Sequence, residues 1–197
     1  MSTPGDAPRV ILARSVRIFH GMTSDVHETG DIFADPAAVA VDWQQVYVEQ
    51  LPRVYNFLRY RTGDEALAEE LTARTFEKAW RKRHRYRRAL SGVGTWLLRI
   101  ASNTAIDHHR TFHGHAPLEA AADTPAPGSP EEEAAIESNF ARLRMLLGAL
   151  PDRERELLAL KYGGGATNRA IAEVTGLSES NVGTMLHRTV QKLRARW

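Results

Sequence analysis

Residues 114–135 read GHAPLEAAADTPAPGSPEEEAA. Prolines at 117, 125, 127 and 130 exclude a continuous helix or a paired strand, because each fixes φ and removes a backbone donor. The stretch has no lysine or arginine, and its acids are Glu119, Asp123, Glu131, Glu132 and Glu133. Such a segment has too little apolar surface to pack and reads as a linker. It divides the 197 residues into two blocks, each of which must build its own core. The expected organisation is an N-terminal extension (1–41), a helical domain (42–112), the linker (113–135) and a second helical domain (136–197).

Both blocks carry helical periodicity. Tyr47, Leu51, Val54, Tyr55 and Leu58 recur at spacings of three and four and make one apolar stripe. Pro52 lies inside that run, so the helix kinks there or restarts with Pro52 in its first turn. Thr62-Gly63-Asp64 reads as a stop followed by a new N-cap. The next stripe is Ala68, Leu71, Thr75 and Ala79, flanked by Phe76 and Trp80. Ala89-Leu90-Ser91-Gly92-Val93-Gly94 is an uncharged loop, and Thr95 is the expected cap of a helix reaching about Arg110. Beyond the linker, Ile136, Phe140, Leu143, Leu147 and Leu150 continue the pattern, and Pro151 starts a helix to about Tyr162. Gly163-Gly164-Gly165 reads as a flexible break. Two helices follow, at about Asn168–Thr175 and Glu179–Arg196. No strand pattern is present, so the fold class is all-α.

With 43% apolar residues the chain has enough hydrophobic surface for packed cores. It has no cysteine, which excludes disulfides, thiolate zinc sites and a cysteine nucleophile. No apolar run approaches the roughly 20 residues of a membrane helix. The first residues lack a secretory h-region. A cytoplasmic protein with no membrane contact of its own is expected. The first forty residues show no sustained periodicity, and Met22 is a possible alternative start.

Thr167–Leu193 has the spacing of a helix-turn-helix. Ala172 is small where two helices would cross, Gly176 suits a turn with positive φ, and Val182 anchors the second helix. Ile171, Leu177 and Met185 or Leu186 fill the other apolar slots, and Ser178 is placed to cap the second helix. Val182, Leu186, Val190, Leu193 and Trp197 form the expected inner stripe. The outer face carries Ser180, Asn181, Thr184, His187, Arg188, Gln191 and Lys192, side chains able to bond base edges or phosphates from the major groove. After Glu179 the helix has no acid, which suits phosphate contact.

Arg74–Arg88 holds eight lysines and arginines and one acid, Glu77. Helix-dipole complementarity accounts for the order of signs but not for the density of arginines. In the following helix Leu97, Ile100, Ala101, Thr104 and His108 form the apolar stripe. Trp96 falls off it, beside Arg99, Asn103 and Arg110. An aromatic among arginines and an amide suits unstacked single-stranded bases.

The segments YNFLRYRTGDEALAEELTARTFEKAW, GTWLLRIASNTAIDHHR and LPDRERELLALKYGGGATNRAIAEVTGLSESNVGTMLHRTVQKLR, in this order and spacing, resemble the extracytoplasmic-function (group IV) sigma factors of the sigma-70 family. The resemblance covers about Trp43–Phe112 and Ile136–Trp197. It implies a sigma domain 2 bundle and a sigma domain 4 helix-turn-helix that direct core RNA polymerase to promoter DNA. Glu69, Glu70, Arg74, Glu77 and Trp80 would lie against the clamp helices of the polymerase's largest subunit. Tyr86, Arg87, Arg88, Trp96, Arg99, Asn103 and Arg110 would bind the non-template strand of the −10 element, Asn103 helping to capture a flipped base. The seven outer residues of the C-terminal helix would read the −35 element. The acidic linker would thread the polymerase active-site and RNA-exit region, and an anti-sigma factor is an implied partner. The chain departs from the family at Ala73-Arg74, where Gln-Glu is common, and at Gly183, where Lys or Arg is frequent.

Two other readings differ in class. An operator-binding regulator would need only the helix-turn-helix and leaves the second basic-aromatic cluster unexplained. A metalloenzyme would rest on His108, His109, His113 and His115, but no acid completes a HExxH-type set. The expectation is a non-enzyme with no cofactor and no metal.

Overall fold

The computed structural model describes residues 41–87, 91–112, 142–143 and 145–197. The expected extension (apart from Val41) and the expected linker lie outside them. Among the described residues the regular structure is helical: α1 Trp43–Thr62, α2 Glu65–Arg81, a 3₁₀ turn at Arg83–Arg85, α3 Val93–Phe112, α4 Asp152–Leu158 running into a π-helical turn at Ala159–Gly163, α5 Asn168–Thr175 and α6 Glu179–Arg194. Arg142, Leu143 and residues 145–148 are helical as well.

α1 passes through Pro52 without restarting. The proline withholds one N–H, so the carbonyl of Val48 loses its ladder partner, and Val48 is 60% exposed to water that can replace it. Two compact units part between Pro52 and Arg53. In the first, Asp42 caps α1 by accepting from the backbone N–H groups of Gln44 and Gln45 at 2.9 and 3.1 Å. The predicted stripe of α1 is buried throughout.

The second unit runs from Arg53 to Trp197. Gly63 turns the chain at φ +72°, and Asp64 caps α2 by accepting from Leu67 N–H at 2.9 Å. α2 buries Ala68, Leu71, Thr72, Thr75, Phe76 and Ala79. Thr72, Thr75 and, on α3, Thr104 donate their hydroxyls to carbonyls four residues back at 2.6–2.8 Å, which satisfies these polar groups inside the core. α2 packs on α3. α3 begins two residues before the expected cap at Thr95, because Gly92 already accepts the first helical hydrogen bond, from Trp96 N–H at 3.0 Å.

The burial of α3 is broader than one stripe. Leu97, Ile100, Ala101 and Thr104 are buried as expected, whereas His108 is only half-buried. Leu98, Ser102 and Ala105 are buried too. The cause is a second neighbour. The Ser102 hydroxyl donates to Oε1 of Glu156 at 2.5 Å, and Leu98 lies against Gly164. Glu156 is buried, and its other oxygen takes a bond from Arg153 at 2.8 Å. Arg153 also bonds the Thr175 carbonyl at 2.8 Å, so the buried carboxylate is both paired and hydrogen-bonded.

The triple glycine is not a flexible break. Gly163 and Gly164 are buried at a close approach: a Cβ on Gly163 would stand 2.7 Å from the Asn56 carbonyl oxygen, and one on Gly164 3.1 Å from the Leu98 side chain. The π-helical turn carries the chain into this position, with Gly164 N–H bonding Ala159 O at 2.9 Å and Ala166 N–H bonding Leu160 O at 3.0 Å. Arg53 donates to the Gly164 carbonyl at 3.1 Å, and Arg61 to Asp152 at 2.6 Å.

α5 and α6 form the expected helix-turn-helix. Thr167 caps α5 and Ser178 caps α6, each accepting an N–H three residues on at 3.2 Å. Gly176 holds the turn at φ +73°. Ile171, Val182 and Leu186 are buried between the helices and α4, and Ala172 is half-buried. The inner stripe of α6 differs at its end. Thr189 is buried with its hydroxyl on Met185 O, Val190 and Leu193 are half-buried, and Trp197 is 53% exposed. The Arg142 guanidinium lies over the Trp197 ring at 5.4 Å, so the last aromatic packs on a cation at the surface and not in the core.

Two outcomes follow. Gly176→Ala meets no steric neighbour, so its cost is the left-handed backbone alone, about 1–2 kcal/mol in urea unfolding. For Asp152, burial pushes the carboxyl up, but the hydrogen bond and charge of Arg61, with His109 and Arg155, outweigh it and hold the group below the ordinary carboxylate range. Its contribution is present above the unfolded carboxylate value and disappears as pH falls through the lower folded value. Asp152→Asn should therefore cost stability at neutral pH and flatten the acid limb of a stability-versus-pH curve; parallel limbs would contradict this.

Candidate nucleic-acid interface

Covering α3 on two faces leaves one strip exposed. Arg99, Asn103, Asp107 and Arg110 stand on it at spacings of four, four and three, with half-buried Trp96 three residues before Arg99. Tyr86, which follows the 3₁₀ turn, meets Trp96 with ring centroids 5.3 Å apart and planes at 51°, and donates its hydroxyl to Ser91 O at 3.2 Å. Tyr86 is thus pinned to the start of α3 by an aromatic pair. Arg83, His84, Arg85 and Arg87 are exposed around it, and Arg88 lies outside the described residues. Positive charge beside a half-covered indole matches what a single strand needs: phosphate attraction and a flat surface for a base. Arg99 is engaged elsewhere. Its guanidinium donates to the Glu173 carbonyl of α5 at 2.7 Å.

The residues expected to meet the polymerase lie along α2. Glu70 and Arg74 pair at 2.5 Å, Glu77 pairs with Arg81, and both pairs are at i, i+4. Glu69 is half-buried, and Arg83 stacks over half-buried Trp80 at 4.1 Å. A groove of about 280 Å³ runs between α2 and α3, lined by Arg74, Glu77, Lys78 and Arg81 on one wall and Thr104, Asp107, His108 and Thr111 on the other. Among the described residues no cluster of histidines and acids has metal-binding geometry.

On α6, Ser180, Asn181, Thr184, His187, Arg188, Gln191 and Lys192 are all exposed, in two adjacent columns. The Thr184 hydroxyl donates to Ser180 O at 3.0 Å, and the Lys192 ammonium is 2.6 Å from Glu154 on α4. Lys192 therefore also ties the helix to its support. Gly183 sits among these residues, where an added Cβ would meet only the Asn168 side chain, at 3.5 Å. The engagements of Arg99 and Lys192 were not legible in the sequence, since each partner comes from a segment far along the chain.

Comparison with known proteins gives a consistent picture. Residues 46–112 match the family model for Sigma-70 region 2, and residues 140–193 that for Sigma-70, region 4. The chain is 30% identical over 155 residues to the ECF RNA polymerase sigma factor SigM of Bacillus subtilis, covering 77% of this chain and 92% of SigM. It is 33% identical over 159 residues to the RNA polymerase sigma factor CarQ of Myxococcus xanthus, covering 77% of this chain and 87% of CarQ. Against the ECF sigma factor BldN of Streptomyces coelicolor it is 27% identical over 152 residues, covering 76% of this chain but only 58% of BldN. The fold is that of the sigma factor RpoE solved with the anti-sigma factor NepR from Bartonella quintana: TM-score 0.64, 22% identity, covering 78% of this chain and 95% of RpoE. CnrH, solved with the cytosolic domain of CnrY, has TM-score 0.59 and 20% identity, with 96% of each chain covered.

If the Tyr86–Trp96 pair receives a base, Trp96→Ala should weaken binding to a labelled single-stranded oligonucleotide by about 1–3 kcal/mol, while Trp96→Phe keeps most of it. Fluorescence anisotropy at fixed low salt measures this. Equal affinity for all three proteins would remove Trp96 from the interface.

Proposed function

This chain belongs to the ECF RNA polymerase sigma factors, and on that premise we propose that it directs core RNA polymerase to promoters and helps to hold the −10 region open. The observation that carries the reading is the pairing of two different nucleic-acid surfaces in one chain. One is a capped helix-turn-helix with a continuous exposed polar face, suited to the edges of duplex bases. The other is the basic-aromatic strip of α3, suited to bases that have left the stack. An operator-binding regulator has use for the first and none for the second.

In this reading the domain with α1–α3 (42–112) binds polymerase and the −10 element, and the domain with α4–α6 (136–197) binds the −35 element. Glu69, Glu70, Arg74, Glu77 and Trp80 face the polymerase. Tyr86, Arg87, Arg88, Trp96, Arg99, Asn103 and Arg110 serve the single strand. Ser180, Asn181, Thr184, His187, Arg188, Gln191 and Lys192 serve the duplex. The factor works by binding energy alone, and the polymerase makes the bonds. It acts in the cytoplasm; among the described residues no helix is long and apolar enough to cross a membrane. An anti-sigma protein is a further partner, as NepR is for RpoE of Bartonella quintana.

Run-off transcription with core polymerase on a randomised promoter library tests this. Transcripts that need the protein, from templates sharing two short motifs at a fixed spacing, are expected. No stimulation together with tight duplex binding by the protein alone would point to a regulator. Asn103→Ala should damage −10 recognition and spare polymerase binding. Arg188→Ala should weaken −35 binding by about 1–3 kcal/mol if it bonds a base and less if it only touches phosphate.

A further inference from the structure

One carboxylate beneath the helix-turn-helix is short of hydrogen bonds. The Glu154 side chain on α4 is 16% exposed, and its Oε1 stands 2.6 Å from the Lys192 ammonium of α6. Its Oε2 is enclosed, and among the described residues no donor bonds it. A carboxylate so covered depends on its cation, because a charge stranded away from water costs far more than an exposed pair contributes. Lys192 is the member in solvent, with a side chain 53% exposed. Drawing it to a DNA phosphate would abandon Glu154. Keeping it on Glu154 leaves a pair with no net charge, which releases few counterions from DNA. On either count Lys192 is a poor phosphate contact. Its place agrees. It lies twelve residues after Ser180, about 18 Å along the helix axis, whereas a recognition helix meets base edges with its N-terminal residues.

The adjacent residue of α4 holds the other end of the motif. Arg153 donates to the Thr175 carbonyl at 2.8 Å, next to Gly176, whose positive φ makes the turn. Glu156 fixes that guanidinium in place at 2.8 Å. Two successive residues of α4 therefore hold α6 at two points, one at the turn that leads into it and one near its last turn. A helix held at one end can swing, whereas a helix held at two has a set pitch. Pitch decides whether Asn181, Thr184 and Arg188 reach their base edges together, since hydrogen bonds weaken steeply once distance and angle leave their narrow range.

We propose that Glu154 and Lys192 are positioning residues for −35 recognition: the pair sets the pitch of α6 against α4, and with it the choice of base pairs, without touching DNA. The inference deepens the proposed role of the helix-turn-helix and rests on it.

The test replaces each residue by glutamine, alone and together. Glu154→Gln leaves no stranded charge, so it carries the test even if Lys192→Gln folds poorly. Holoenzyme with core polymerase is titrated onto a promoter from the run-off library and onto the same promoter with one −35 base pair changed. Anisotropy at several salt concentrations gives the affinities. The parent should prefer the intact motif roughly tenfold, and all three variants only about threefold or less, while binding to the changed motif stays within about twofold of the parent. Helical circular dichroism should be unchanged. The double variant should do no worse than either single one, since all three remove the same pair. The slope of log affinity against log salt should not move. If Lys192→Gln weakens both promoters equally and lowers that slope by about 0.9, Lys192 is a phosphate contact and the proposal is overturned. An undiminished preference in all three variants overturns it as well. If run-off yields no promoter, the sigma reading fails instead. The same comparison, on duplex DNA that the chain alone enriches from a random library, then decides the role of the pair.

Discussion

α3 is the element on which the rest is hung, and what constrains it is burial on two faces at once. Leu97, Ile100, Ala101 and Thr104 are buried with α2 packed alongside, while Leu98 and Ser102 are covered by the π-helical turn and Glu156. Each buried leucine contributes about 1.5–3 kcal/mol by leaving water, so the rotation of the helix about its axis is firmly fixed. That rotation decides which side chains remain outside. The strip of Arg99, Asn103 and Arg110, with half-buried Trp96 at its start, stays outside because the other two faces are taken.

Much of this architecture is legible in the sequence, and the reason is local. The stripes of α1 and α2 follow from a period near 3.6. The caps at Asp64 and Ser178, and the turn at Gly176, follow from backbone groups that the adjacent residue must satisfy. What was not legible depends on partners far along the chain. Leu98 and Ser102 fall off the expected stripe, and only a neighbour more than fifty residues away explains their burial. The three glycines read as a break because sequence gives their freedom but not their surroundings. Trp197 reads as core by spacing, yet it ends the chain with an arginine over its ring. Val93 and Gly94 read as loop, because a helix that starts on a glycine carbonyl carries no capping signature.

Several polar groups inside this core follow one rule. Each buried threonine returns its hydroxyl to its own helix, and Glu156 is met by a hydroxyl and a guanidinium. Half-buried Arg155 does the same, donating to the carbonyls of Leu147, Gly148 and Leu150, where the preceding helical segment ends. Satisfied polar groups add less to stability than to uniqueness, since a shifted packing would strand a charge.

Gly183 has a different kind of consequence. It lies half-buried at the edge of the exposed columns of α6, where a new side chain would meet one amide at ordinary contact distance and would relieve the conformational cost of glycine in a helix, about 0.5–1 kcal/mol. Most positions that can alter recognition are bound by a trade between binding and folding. Here a single codon change could add a contact while strengthening the scaffold, which makes residue 183 an open route by which descendants of this chain could acquire a new set of target sequences.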